Sequence, residues 1–254
     1  MAEETDLPTS ATPSAAPEHS GEESEDEWLD ETPATLFLRA VFTLLAGAFL
    51  SYTQYHAPIY GGENWNRWIL LSALANFLLP LGIVWFFFGQ GLRHLDWLKE
   101  QRLNAWNYGW QFRHWKRHAL LALGVTAAML PFLFWASRDA GTRAFYHAYF
   151  PPAPGALSWL WLIASLIIYM LCWEWFHRGF LLFGMAQGFG PIPAILLQAA
   201  LFGAAHWGKP PLELGSSFVG GLLLGVLCWR EKSFVPAFFM HALIHVIWAF
   251  LIFL

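Results

Sequence analysis

Glu174, Arg178, His206, Glu213, His241 and His245, with His177 beside them, are ionisable side chains in or next to long apolar runs. Charged groups are costly in hydrocarbon, so a residue of this kind marks a functional site by default. Three short patterns organise them: Glu174-Trp-Phe-His-Arg178, Phe202-Gly-Ala-Ala-His206 and His241-Ala-Leu-Ile-His245. Each pairs two groups four residues apart, which sets both on one face of a helix. The residue types suit hydrolysis inside a bilayer, which needs a nucleophilic water, a proton acceptor and a group that stabilises an oxyanion. A glutamate can act as general base. Histidines can hold the water, donate to the oxyanion, or bind a Lewis-acid metal through neutral nitrogens. Arg178, one turn from Glu174, is expected to pair with that carboxylate. The same pair also reads as an ion pair that merely closes a bundle, and a lone histidine or Phe202 also reads as core packing.

The elements that must carry these groups are membrane helices. The chain is 57% hydrophobic and 13% charged, with 16 Trp and 23 Phe, whereas soluble domains carry about 25% charged residues. This composition excludes an ordinary soluble globule and predicts an all-α, polytopic transmembrane bundle. Runs near the roughly 20 residues that a bilayer core demands predict spans at 34–55, 67–89, 118–136, 157–187, 191–207, 214–229 and 234–254. The fifth and sixth are short, which suggests a tilted or re-entrant arrangement. No strand pattern and no internal repeat is visible. Counted at 1.5 Å per residue, Glu174 and His206 fall about 20 Å from the cytoplasmic ends of their spans. His241 and His245 fall at comparable depth. Gly221-Leu-Leu-Leu-Gly225 is a small-residue face suited to close helix contact within the chain.

Charge is unevenly divided. Residues 1–31 hold eleven acids and no Lys or Arg; the remainder holds all fourteen Lys and Arg against seven acids. Segment 1–33 has too few apolar groups to offset the entropy of ordering and is expected to be a disordered acidic tail. It lacks the basic and apolar regions of a signal peptide. The basic stretch 90–117, with Arg230 and Lys232, predicts cytoplasmic loops. Seven spans then put the N-terminus inside and the C-terminus outside, with 137–156 as an external loop. Cys172 and Cys228 lie in apolar runs without metal-type spacing.

The three ordered motifs resemble those of the CAAX-protease and bacteriocin-processing (Abi, or CPBP) group of intramembrane proteases, over roughly residues 157–254. That group's pattern is Glu-Glu-x-x-x-Arg, then Phe-x-x-x-His, then His-x-x-x-Asn or a variant. Glu174 and Arg178 match the second Glu and the Arg, and Gly179-Phe180-Leu181-Leu182 follows in the group's manner. Phe202 and His206 match the second motif, and His241 the third, with His245 at its variable end. The group's first Glu, usually its catalytic carboxylate, is Trp173 here.

The resemblance implies a bundle of about seven helices and an endopeptidase acting on a membrane-associated or lipidated protein or peptide at the cell membrane. Glu174 then takes over the catalytic role, or Glu213 supplies the carboxylate from the polar turn after His206, unless that acid is merely solvated or paired with Lys209. The loss of the first Glu alternatively implies an inactive scaffold or immunity factor derived from the fold; buried Glu, His and Arg also suit a transporter, though that reading lacks repeats. Two forms of the enzyme follow from the resemblance: a Zn site on His206, His241 and Glu174, or a metal-free glutamate mechanism. The expected partners are the bilayer and a membrane-bound substrate, not nucleic acid.

Overall fold

The computed structural model describes residues 32–57, 61–87, 108–151 and 155–254. The acidic tail and most of the basic stretch at 90–117 lie outside the described residues. Among those that are described, eight helices and no strand are found. Six helices are long and apolar enough to cross a membrane: α1 (Pro33–Tyr55), α2 (Gly62–Trp85), α3 (Trp115–Ala136), α5 (Ala156–Phe189), α7 (Pro211–Glu231) and α8 (Val235–Phe253). The protein is a multi-pass membrane protein. Between them, α6 (Pro191–Ala204) has 14 residues and α4 (Ala140–Tyr149) has 10.

The predicted spans recur with ends shifted by a few residues. The fifth differs more: α6 stops at Ala204, and His206 lies in the turn that follows. At 1.5 Å per residue α6 is about 21 Å long, less than the roughly 30 Å hydrocarbon core. The stretch read as an external loop contains α4. Asp139 caps it by accepting the Thr142 amide at 2.8 Å, and Thr142, Tyr146 and Tyr149 form its buried face.

Ridges of exposed Leu and Phe on α1 and α3 face outward, as lipid requires, and the polar groups face inward. Two apolar clusters fill the interior. One gathers Trp65, Tyr146, Phe150, Leu166, Trp173 and Trp248. The other gathers Trp175, Phe176, Phe180, Phe183 and Phe234. Residue 174 sits at their boundary, on a stretch of α5 that changes from α to π geometry at Trp175–Leu181. Such wide turns are rare and gather at functional sites. Here every residue from 172 to 186 is buried.

The basic ends meet at one end of the bundle. Arg117 donates to Glu231 at 2.8 Å, and the Phe234 amide donates to the Gly109 carbonyl. Gly109 has φ +76°, and a side chain there would strike Phe183. Phe37 of α1 packs on Phe189 of α5, and Phe183 of α5 on Trp229, so α1 also starts at this end. α4 lies at the other end, where Arg143 donates to the Ile252 carbonyl of α8 at 3.0 Å. Gly221 lets α7 approach α6: a Cβ there would stand 3.1 Å from the Ala199 Cα. Gln198 donates to the Gly221 carbonyl at 2.8 Å.

Candidate active site

A continuous polar chain crosses from α5 to α8. The Arg178 guanidinium lies 3.0 Å from both carboxylate oxygens of Glu174 through Nη1. Glu174 Oε1 accepts the Nδ1–H of His241 at 2.5 Å. Glu174 and Arg178 are completely buried. The desolvation of such a pair exceeds what simple attraction returns unless further bonds satisfy it. His241 supplies one such bond, and the Phe202 ring, 3.9 Å from the guanidinium carbon, faces the cation. A carboxylate can only accept, so Nδ1 of His241 carries the proton of this bond, and in the neutral ring Nε2 is the nitrogen left with a lone pair.

That ring lies on the wall of a partly open cavity of about 280 Å³, lined by α3, α4, α7 and α8, by Phe202 of α6 and by the turn that follows it. His206, Glu213, His245 and Tyr146 share the wall. Glu174 is not on it; it stands behind His241. His206 donates its Nδ1–H to the Phe202 carbonyl at 2.7 Å. His245 does the same to the His241 carbonyl at 3.2 Å. Each backbone carbonyl thereby fixes one tautomer and turns Nε2 away from the helix axis. His241 and His245 also touch ring to ring, with centroids 5.0 Å apart.

Glu213, in the first turn of α7, is held on both oxygens. Lys209 Nζ donates to Oε1 at 2.8 Å, and the Tyr146 hydroxyl donates to Oε2. His206 Nε2 lies 3.9 Å from Oε1. Glu213 is thus a partner of Lys209 and a neighbour of His206 at once. Sequence reasoning missed Tyr146. Its segment has no long hydropathy period, and only the Asp139 cap and the spacing of Thr142, Tyr146 and Tyr149 signal a helix there.

His177 takes a different position. It is fully buried, its Nδ1–H donates to the Trp173 carbonyl at 2.9 Å, and its ring packs between Trp173 and Phe202. It does not line the cavity. Phe202 is the hub of the cluster, touching the rings of Trp173, His177, His206 and His241 as well as Arg178. Trp173 packs against His206 and walls a second cavity of about 370 Å³, shared with Gln54, Trp68 and Tyr169.

Zn takes neutral imidazole nitrogens and carboxylate oxygens that converge on one point. Imidazole nitrogens with fixed tautomers suit the metal, yet among the described residues no group of three His, Cys, Asp or Glu converges as ligands would. Glu174 binds the Nδ1 side of His241, opposite the free Nε2. In that position it can orient a ligand but cannot share one metal with that ring. The set His206, His241 and Glu174 does not form a three-ligand site in this arrangement.

A family model described as Rce1-like, type II CAAX prenyl endopeptidase Rce1-like, matches residues 155–247. The matched stretch contains all three motifs and every residue of the polar chain. No curated protein and no solved structure matches the chain.

Proposed function

On the strength of an Rce1-like stretch at residues 155–247, we propose that the protein is an intramembrane endopeptidase that hydrolyses a peptide bond of a membrane-associated or lipidated protein. The observation that carries this reading is the buried Arg178–Glu174–His241 chain ending at a cavity shared with His206 and Glu213. Its logic is that of a hydrolytic triad, in which a carboxylate sets the tautomer of an imidazole and stabilises the imidazolium that forms.

A water donates to His241 Nε2 and attacks the substrate carbonyl carbon. The new C–O bond forms as the water proton moves to Nε2, and the carbonyl oxygen takes the negative charge. Nε2 then returns the proton to the leaving nitrogen as the C–N bond breaks. Glu174 accepts the Nδ1–H throughout, and Arg178 keeps its carboxylate in register. His206 Nε2 lies 3.9 Å from Glu213 Oε1 on the same cavity wall. With a proton on Nε2, His206 turns that N–H to the oxyanion while the Glu213 carboxylate beside it balances the charge. No metal enters these steps.

The test is comparative membrane proteomics of cells carrying the wild type, Glu174→Gln, His206→Ala or His241→Ala. The expected result is a membrane protein that accumulates unprocessed in all three variants. Processing that persists in all three at normal protein levels sinks the assignment. Trp173, in place of a carboxylate, favours a second reading, a scaffold that binds without cutting. Capture of a partner by wild type with no cleavage product in any condition supports that alternative.

A further inference from the structure

We infer that Tyr146 is a positioning residue of this site: its hydroxyl fixes the Glu213 carboxylate beside His206, making α4 a working part of the machinery. The inference rests on the endopeptidase reading above.

Four observations carry it. Tyr146 is almost wholly buried, at 2% exposure, so its hydroxyl must find an acceptor. That acceptor is a carboxylate oxygen on the cavity wall, not a backbone carbonyl. Glu213 has two oxygens; Lys209 takes Oε1 at 2.8 Å and Tyr146 takes Oε2, so the two donors together define one orientation. In that orientation Oε1 faces His206 Nε2 at 3.9 Å. Lys209 is four residues before Glu213, in the segment that leads into α7, and can follow it through a rotation; Tyr146 comes from a separate helix and cannot.

The helix that supplies it is itself anchored. Asp139 caps its first turn, and Arg143 ties it to the last turn of α8. The Tyr146 ring packs on Trp248 and Phe150, with centroids 5.4 Å away in each case. A purely structural tyrosine would be served as well by phenylalanine, because all these ring contacts survive the loss of the hydroxyl. What phenylalanine removes is the bond that keeps Glu213 from turning away from His206.

The experiment uses the full chain in proteoliposomes and a quenched fluorescent peptide bearing the cleavage sequence mapped by the proteomic comparison. Wild type, Tyr146→Phe, Glu213→Gln and the double variant are assayed for kcat and KM. Tyr146→Phe is expected to lower kcat about tenfold with KM within twofold. The double variant is expected to be no slower than Glu213→Gln alone, because the tyrosine acts through that carboxylate. 3-Fluorotyrosine at 146, which keeps both ring and hydroxyl, is expected to retain kcat within about threefold, and it stands in if Tyr146→Phe does not accumulate: a change beyond tenfold there overturns the role as stated. Equal kcat for Tyr146→Phe and wild type overturns the inference while leaving the endopeptidase intact. So does a multiplicative loss in the double variant. No cleavage by wild type removes the reading beneath it.

Discussion

Glu174 is a carboxylate with no solvent around it, and its neighbours dictate what substitution does. Gln keeps the shape but cannot balance Arg178 or stabilise a protonated His241. Glu174→Gln is expected to lower kcat by about 10⁴-fold, as when the carboxylate of a triad becomes an amide, and to lower the melting temperature because Arg178 loses its buried counter-charge. Equal turnover in Glu174→Gln would mean that His241 works without this carboxylate and would leave Glu213 as the acid of the site. Arg178→Ala leaves a buried carboxylate without its cation, a change that costs about 3–5 kcal/mol. A large drop in the detergent melting temperature is therefore expected alongside lost activity. Chelation is expected to leave turnover unchanged, because Glu174 faces the wrong nitrogen of His241 to share a metal with it; lost activity restored by added Zn would overturn that. The Glu174–Arg178 pair was legible in the sequence because four-residue spacing fixes it locally. The bond from Glu174 to His241 was not, since it depends on how α5 and α8 pack. Phe202, which reads equally as core from spacing, turns out to touch the rings of Trp173, His177, His206 and His241.

At the scale of elements, α7 depends on small residues where it crosses α6. Gly221→Leu forces a side chain toward Ala199 and is expected to destabilise by about 1–3 kcal/mol, read as a lower melting temperature. α4 depends on its cap. The Thr142 amide, donating to Asp139, holds that carboxyl below its ordinary range. A lowered folded value means that the cap contributes fully at neutral pH and is lost as the pH falls through it. The protection factor of the first-turn amides of α4, measured against the intrinsic exchange rate at each pH, is expected to fall on acidification in wild type and to be low at every pH in Asp139→Ala. The long spans could be read from hydropathy because lipid imposes a length on them. α4 could not, because ten residues give too little periodicity. The π segment of α5 left no mark in the sequence either, although its residues are buried throughout.

Across the whole molecule, the charged ends sort by side. The described part of the basic 90–117 stretch meets the turn at 230–234 on one end, and α1 starts there too. If the positive-inside rule holds for this end, reporter tags are expected to place Pro33 in the cytoplasm and Leu254 outside. Opposite results for both tags would invert the bundle, moving α4 and the cavity it covers to the cytoplasmic side.

The shortness of α6 has a bearing on the lipid around the protein. A helix about 21 Å long brings the turn carrying His206 and Lys209 down into the slab that acyl chains would otherwise fill. Such a short span is met by thinning of the leaflet, by snorkelling side chains or by burial among neighbouring helices. If thinning is the answer, turnover measured across phosphatidylcholines of increasing acyl length is expected to fall as the bilayer thickens; a flat profile would mean that the neighbouring helices shield the turn.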